Sequence, residues 1–242
     1  MIHFNEDPEA SGPSAIFLSE YILDINEGSG FLNTLRPEDQ KTVRRMGTRC
    51  TFANKDRIFH QGDSHTGVWV IESGRARTYY TGPSGREITL AYWTPGHFIG
   101  GPEVFGRGRH VWSADALEDC EMLFLSGMSL QKLVREIPDV AMAIIHGLIA
   151  KGNCYSALIQ MLGTRSVSER LRQFLLILAD AQGRHEGDKI VIDRSITYEQ
   201  IASVVGATRQ WVTQTFEKLQ AEGIVETNRA EIIVYDMEAL QA

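Results

Sequence analysis

Hydrophobic residues between positions 51 and 124 come in short runs that are separated by glycines. The runs are rich in Val, Ile, Tyr and Trp, and a turn residue follows about every ten positions, which is typical of antiparallel sheets. One run, at 68–73, ends at Gly74, and the sequence Gly-Pro-Ser-Gly at 82–85 connects runs at 75–81 and 86–93 as a hairpin would. This pattern predicts an antiparallel barrel or sandwich.

After position 124 the hydrophobic spacing changes to that of helices. A short helix is predicted at 129–136, before Pro138, and a long one at 139–162. One stripe of the long helix alternates steps of four and three, which is the coiled-coil pattern and predicts a dimer seam. The seam consists of Ala141, Ile145, Leu148, Gly152, Tyr155, Ile159 and Leu162. The alternative is an amphipathic helix that lies on its own domain.

A break at 163–165 precedes a C-terminal part with the predicted order helix, helix, helix, hairpin. The helices are expected at 168–181, 197–205 and 208–222, and the strands at 224–227 and 231–235. Between the second and third helices, Gly206 suits a tight left-handed turn and Thr208 suits a helix N-cap. Apolar side chains would face inward from both helices, namely those of Ile201, Val205, Val212, Phe216 and Leu219. This arrangement predicts a helix-turn-helix, and the hairpin makes it winged.

In such a unit the start of the second helix enters the major groove of DNA. Arginine pairs with guanine and glutamine with adenine, while hydroxyls and helix N-termini bind phosphate. The predicted DNA-binding residues are Thr197, Thr208, Arg209, Gln210, Thr213, Gln214 and Lys218. The alternative is a plain helical hairpin with Arg209 on a solvated face.

Composition narrows the class of protein. Hydrophobic residues make up 43% and charged residues 23% of the 242 positions, so a globular core is expected. The net charge of −7 gives no general attraction to nucleic acid, so DNA binding would depend on few phosphate contacts and on dimerisation.

We see no apolar run that approaches a membrane span and no secretory signal, and therefore expect no membrane partner. An odd number of cysteines (Cys50, Cys120 and Cys154) favours a reducing cytoplasm.

The predicted fold class is α+β. An N-terminal tail and short helix, the latter near 17–24, occupy 1–35, and an antiparallel β-roll that senses an effector occupies 36–137. We call this second part the β-domain. A dimerisation helix follows at 138–163, and a winged helix-turn-helix domain, called the C-terminal domain below, at 164–242.

Several motifs in this order resemble the Crp/Fnr superfamily of bacterial transcription regulators. They read Ile-Phe-His-Gln-Gly-Asp at 58–63, Val-Trp-Val-Ile-Glu-Ser-Gly at 68–74 and Pro-Gly-His-Phe-Ile-Gly at 95–100, followed by the long helix and the helix-turn-helix. The resemblance covers about residues 51–236 and implies a homodimer that reads a palindromic promoter site in double-stranded DNA, with RNA polymerase as a further partner. Arg209 and Gln214 fall where the family places base contacts. Gln210 replaces a frequent Glu and Gln214 a frequent Arg, which implies a different half-site.

The sequence departs from the members that bind cyclic AMP. Gly101 stands at the position of their ribose-binding Glu. The position of their phosphate-binding Arg-Ser pair corresponds approximately to His110 and Val111. A buried cyclic phosphate needs a cation and several donors, so the expected effector is another, unknown small molecule. Its expected site lies between the β-roll and the long helix, where Trp112 and Tyr155 could stack on an aromatic group. The site residues are Gly100, Gly101, Pro102, Glu103, Val104, His110, Val111, Trp112, Tyr155 and Ser156.

Other functions stay open as alternatives. The chain could bind a cyclic nucleotide, sense haem through His97, His110 or Cys120, use a thiol switch, or act without an effector. An iron–sulfur cluster is disfavoured because no cysteine precedes Cys50. No metal site is predicted, and catalysis is not expected, since the sequence has no phosphate loop, zinc-ligand spacing or nucleophile elbow. A further alternative is a nucleotide-sensing protein whose helix-turn-helix no longer binds DNA. The presence of Arg209 argues against it.

Overall fold

Two antiparallel four-stranded sheets form the β-domain in the computed structural model, which describes residues 30–100, 108–194 and 196–241. The first sheet has the order β1-β8-β3-β6 and the second β2-β7-β4-β5. The strands are β1 (Thr48–Phe52), β2 (Arg57–Phe59), β3 (Gly67–Ser73), β4 (Ala76–Thr81), β5 (Glu87–Trp93), β6 (Phe98–Gly100), β7 (Ser113–Ala116) and β8 (Cys120–Ser126). The predicted hairpin is confirmed, since β4 pairs with β5 from Ala76 opposite Trp93 to Thr81 opposite Glu87.

One hydrophobic core lies between the two sheets. The first sheet contributes Ile71 and Met122, and the second contributes Trp93 and Ala114, all almost fully buried. Alternate residues of a strand point to opposite faces, so the neighbours of Ile71 on β3 are directed to the other side of the first sheet. There Val68 and Val70 join a second core.

Three helices cover that other side of the first sheet. They are α1 (Pro37–Met46), α2 (Gly127–Glu136) and α3 (Pro138–Thr164). Val43 of α1, Leu133 of α2 and Val140 of α3 are fully buried in the second core. The helix α1 was not predicted from the sequence, because its residues are mostly polar and only Val43 of the ten is buried.

The long helix α3 turns one face toward its own chain. The buried residues are Val140, Ala143, Ile144, Gly147, Ala150, Lys151, Cys154, Leu158 and Met161. The helix ends at Thr164 rather than Leu162, because Gly163 stays helical and Arg165 caps the helix. By length and composition this helix could cross a membrane, so the expectation that no apolar run has that length was wrong. Its buried face packs on the β-domain and includes a lysine.

The C-terminal domain combines four helices with a small sheet in the described part of the chain. Its elements are α4 (Val167–Gln182), β9 (Gly183–Glu186), β10 (Lys189–Asp193), α5 (Tyr198–Val205), α6 (Arg209–Ala221), β11 (Val225–Thr227), β12 (Glu231–Val234) and α7 (Met237–Gln241). The sheet has the order β11-β12-β10-β9. The predicted order of three helices and one hairpin was wrong, since a second hairpin, β9–β10, separates α4 from α5 and its Ile190, Val191 and Ile192 are buried. The helix predicted near 17–24 lies outside the described residues.

Candidate functional site

Local capping signals build the helix-turn-helix. The hydroxyl of Thr197 accepts a hydrogen bond from the backbone N–H of Gln200, and the Gln200 side chain accepts one from the backbone of Thr197, so α5 begins with a capping box. Gly206 ends α5 with φ +66°, a left-handed conformation that is cheap for glycine. Thr208 then caps α6 by accepting from the N–H of Trp211.

The inward and outward faces of these helices are as the sequence predicts. Ile201, Val205, Val212, Phe216 and Leu219 are all buried in the core of the C-terminal domain. Among the predicted DNA-binding residues, Thr213 is half-buried and bonds to its own helix, and the others are exposed, namely Thr197, Thr208, Arg209, Gln210, Gln214 and Lys218. Lys218 forms an exposed ion pair with Glu222, and such pairs contribute little to stability.

The hairpin β11–β12, which is the wing, is attached to the N-terminus of α5 by Arg194. This arginine was not singled out from the sequence. Its guanidinium donates to the carbonyl of Asn228 (2.6 Å) and lies 4.4 Å from the centre of the Tyr198 ring. The Tyr198 hydroxyl is 3.1 Å from the hydroxyl of Thr227 on β11. Arg229, at the tip between β11 and β12, is exposed.

The predicted effector residues fall into separate groups. Trp112 and Tyr155 do meet, with ring centres 5.7 Å apart at an angle of 59°, and so join the β-domain to α3. His110 is buried, and its ring contacts are with Phe59 (3.9 Å), His65 and Trp69 instead.

The remaining effector residues lie around these groups. Gly100 is buried at the end of β6, whereas Val111 and Ser156 are exposed. Gly101, Pro102, Glu103 and Val104 lie outside the described residues. The described part of the predicted site is therefore centred on Trp112 and Tyr155.

Next to that ring pair lies a buried lysine. Lys151 is only 7% exposed, one helical turn before Tyr155, and its ammonium donates to the carbonyl of Phe98. The Nζ atom lies 4.0 Å from the centre of the Phe98 ring and 4.4 Å from that of Trp93. Burial lowers the pKa of Lys151 to about 7. The sequence signal for this residue is that Lys151 is the single charge among the otherwise apolar or small residues on the buried face of α3.

Two polar groups, one in the β-domain and one on α3, are buried without a hydrogen-bond partner. One is Nε2 of His97, whose Nδ1 bonds within the Thr94 turn, and the other is the hydroxyl of Tyr155. Burial lowers the pKa of His97 to about 4, and the positive charge of Lys151 acts in the same direction. Burial raises the pKa of Tyr155, so its hydroxyl stays protonated and can donate a hydrogen bond.

The opposite face of α3 is apolar and open. Of the predicted seam, Ile145 and Leu148 are exposed and Ile159 is 70% exposed, whereas Ala141, Tyr155 and Leu162 are partly covered. Gly152 is exposed, and a Cβ built on it would meet nothing within 4 Å. Leu162 reaches the turn of the helix-turn-helix, since its Cδ2 would lie 3.2 Å from a Cβ on Gly206.

Two known protein families match separate parts of the chain. The cyclic nucleotide-binding domain family matches residues 49–136, and the Crp-like helix-turn-helix domain family matches 169–242. The cAMP-activated global transcriptional regulator of Salmonella typhimurium is 26% identical over 208 residues, which cover 83% of this chain and 97% of the relative. The chain belongs to the Crp/Fnr family of transcription regulators.

The chain is also similar to a second curated relative and, in fold, to a solved structure. The cyclic AMP receptor protein of Thermus thermophilus is 27% identical over 222 residues, which cover 89% of this chain and 96% of the relative. The c-di-GMP responsive global regulator of Xanthomonas campestris has the same fold, with a TM-score of 0.75 and 19% identity over 83% of this chain and all of that one. The β-domain is thus an effector-binding domain, and the C-terminal domain is a DNA-binding domain, as in other Crp/Fnr regulators, which bind DNA and act as dimers.

Two of the three cysteines of this Crp/Fnr chain are in protected surroundings, whereas Cys50 is half-buried. Cys120 is buried and its thiol donates to the carbonyls of Arg75 and Glu118, while Cys154 is buried beside Lys151. Burial raises the pKa of both thiols, that of Cys154 to about 12, so neither is a ready nucleophile. Within the described residues, no group of three His, Cys, Asp or Glu side chains could hold a metal ion.

Proposed function

We propose that this Crp/Fnr regulator is a cytoplasmic homodimer that reads a palindromic promoter site and acts there on RNA polymerase. Its effector is a small molecule other than cyclic AMP, bound between the β-domain and α3. One observation carries the proposal: α6 presents Arg209, Gln210 and Gln214 to solvent from a capped, rigid helix-turn-helix.

The proposed dimer is supported by the uncovered seam of α3. Monomeric soluble proteins rarely leave a continuous apolar patch open, and here Ile145, Leu148 and Ile159 lie along one stripe. The spacing of that stripe is the one that two supercoiled helices need. A twofold dimer would present two copies of α6, and a palindromic site matches that symmetry.

The proposed DNA contacts divide by chemistry. Arg209, Gln210 and Gln214 can bond to base edges, whereas Thr197 and Thr208 at the two helix N-termini and Lys218 suit phosphates. Thr213 lies beside Arg209 and bonds to its carbonyl. Because the chain is acidic overall, we expect the two α6 helices together to supply most of the affinity.

An effector other than cyclic AMP is supported by the residues at the family's phosphate position. His110 is buried against Phe59, and burial lowers its pKa to about 4, so it is neutral near pH 7. Val111 next to it has no hydrogen-bonding side chain. A neutral ring and an apolar side chain do not supply the cation that a cyclic phosphate needs.

The test is a mobility-shift titration with duplex from the promoter region of the protein's own gene. We expect a retarded band that weakens steeply as salt rises, and a dimer in sedimentation under the same conditions. A monomer in sedimentation, or no retarded band at low salt with and without cell extract, would contradict the proposal. Cyclic AMP is expected to leave the titration unchanged.

A further inference from the structure

The tip of the wing is a short turn that its own hydrogen bonds hold in place. The side chain of Asn228 accepts from the backbone N–H groups of Ala230 (2.7 Å) and Glu231 (2.8 Å), and its own N–H donates to the carbonyl of Glu231. Arg229 lies within this turn, is exposed, and forms no ion pair in the part of the chain that the structure describes. The wing therefore presents a cation from a turn of defined shape.

The two acidic side chains of the wing have other partners. The carboxylate of Glu226 accepts a hydrogen bond from the hydroxyl of Tyr235 (2.8 Å), and that of Glu231 lies 3.6 Å from the guanidinium of Arg184 on β9. The charge of Arg229 is thus left for a partner outside the chain. In a DNA-binding domain the anion of that kind is a phosphate of the duplex.

A series of contacts joins this tip to both helices of the helix-turn-helix. The backbone N–H of Arg194 donates to the carbonyl of Ala230 (2.6 Å), and its guanidinium donates to the carbonyl of Asn228. The same guanidinium lies over the ring of Tyr198, and this ring stacks on Phe216 of α6 with centres 4.8 Å apart and planes at 19°. Phe216 is fully buried, so the tip is connected to the core of the domain.

The base of the wing has a separate link to α6. The side-chain oxygen of Gln220 accepts from the backbone N–H (3.0 Å) and the hydroxyl (3.2 Å) of Thr227, and the same hydroxyl lies 3.1 Å from that of Tyr198. These bonds stop at Thr227. Among the described residues outside the hairpin, Arg194 is the one that forms hydrogen bonds with the tip.

We propose that Arg194 is a positioning residue for DNA binding, which holds the wing so that Arg229 contacts a phosphate beside the bases that α6 reads. This inference rests on the proposed function, because it adds a contact to the same interface with DNA. Thr197, a predicted phosphate contact, is exposed and directly precedes Tyr198, so the tip and the start of α5 lie on one edge of the domain. Arg194 is half-buried with its guanidinium engaged, and it therefore acts through Arg229.

A double-mutant cycle distinguishes this role from a second phosphate contact. Two independent contacts have additive effects on the free energy of binding. A residue that acts through Arg229 has no further effect once Arg229 is removed. Each phosphate contact adds about 0.9 to the slope of log affinity against log salt, so loss of Arg229 from both subunits should lower this slope by about 2.

The experiment is a salt titration of duplex binding by the full-length protein, followed by fluorescence anisotropy. Arg229→Ala should weaken binding about tenfold at low salt, Arg194→Met should cause a similar loss, and the double variant should lose no more. Tyr198→Phe removes one hydroxyl from the base of the wing, should weaken binding about twofold to threefold, and replaces Arg194→Met in the cycle if that variant does not fold. Lys189→Met removes a charge that pairs with Glu186 in the same sheet, and as the matched control it should leave the slope unchanged.

Three results would overturn the inference: unchanged binding by Arg229→Ala, unchanged binding by folded Arg194→Met, or additive losses in the double variant. The base preference at the position read by Arg209 should stay the same in Arg194→Met. A changed preference would mean that Arg194 supports α6 and not the wing. Absence of binding by the wild type contradicts the proposed function, whereas normal wild-type binding with additive or absent effects contradicts only this inference.

Discussion

The hydroxyl of Thr89 on β5 lies 2.8 Å from the hydroxyl of Ser203 on α5, and both groups are buried. This hydrogen bond joins the effector-binding domain to the first helix of the helix-turn-helix. Tyr92, three residues after Thr89, packs against the core of the C-terminal domain. The two domains therefore meet directly, and not through α3 alone.

Ser203→Ala should loosen this contact. The variant leaves Thr89 without its hydroxyl partner, which costs about 1–2 kcal/mol in a buried site. Hydrogen exchange of the α5 amides should accelerate by about tenfold while the amides of β3 stay protected. Thr42→Ala is the control, because that hydroxyl bonds only within exposed α1. Unchanged exchange in α5 would mean that the contact does not restrain the helix.

Lys151→Met should stabilise the protein in a pH-dependent way. Burial lowers the pKa of Lys151 to about 7 from the ordinary 10.5, so between these values the unfolded chain binds more protons and wild-type stability rises with pH. Below pH 7 both states hold the proton, and the full penalty remains. The variant should therefore exceed the wild type by roughly 3–5 kcal/mol at pH 6 and lose this advantage toward pH 10. Urea unfolding across this pH range measures the difference, and a gap that does not change with pH would refute the assignment.

Gly152→Ala and Gly163→Ala form a matched pair on α3. A Cβ at either glycine meets nothing within 4 Å in the monomer, so helix propensity alone favours alanine by about 1 kcal/mol at both. Gly152 lies on the seam and Gly163 does not. We expect Gly163→Ala to raise the melting temperature and Gly152→Ala to weaken the dimer, as measured by sedimentation. Equal stabilisation by both would argue that no partner helix approaches Gly152.

Arg209→Ala should cost about 1–3 kcal/mol of DNA affinity and relax the preference at one base position. The reason is the loss of a side chain that can pair with guanine in the major groove. Lys189→Ala on β10 removes a positive charge from the same domain outside the helix-turn-helix and is the control. Competition titrations with single-base variants of the bound duplex separate the two effects. A loss that is equal for all base variants would show a phosphate contact instead.

Local sequence preferences were sufficient to predict the helix-turn-helix. Gly206, Thr208 and the apolar positions from Ile201 to Leu219 lie within one short stretch, where capping and turn preferences act between near neighbours. The strands β3, β4 and β5 were predictable for the same reason, since a turn follows each of these short runs. The hairpin β9–β10 was missed because it is brief and its three apolar residues are consecutive, a pattern that periodicity does not assign.

The contacts that make the candidate site specific depend on distant parts of the chain. Thr89 and Ser203 are 114 positions apart, and Lys151 meets the carbonyl of Phe98 across 53. The single charge among the apolar positions of α3 is a weak local signal that Lys151 points inward, because lysines are mostly exposed. The seam and the buried face of α3 are both apolar, and only the packing distinguishes them.

This division of α3 has a mechanical consequence. Successive turns of α3 carry the proposed effector contact on the buried face and the proposed dimer contact on the exposed face, and Tyr155 lies between the two faces. An effector bound at the buried face that rotated α3 slightly about its own axis would change the angle at which the two α3 helices of the dimer cross. The distance between the two C-terminal domains would change with that angle.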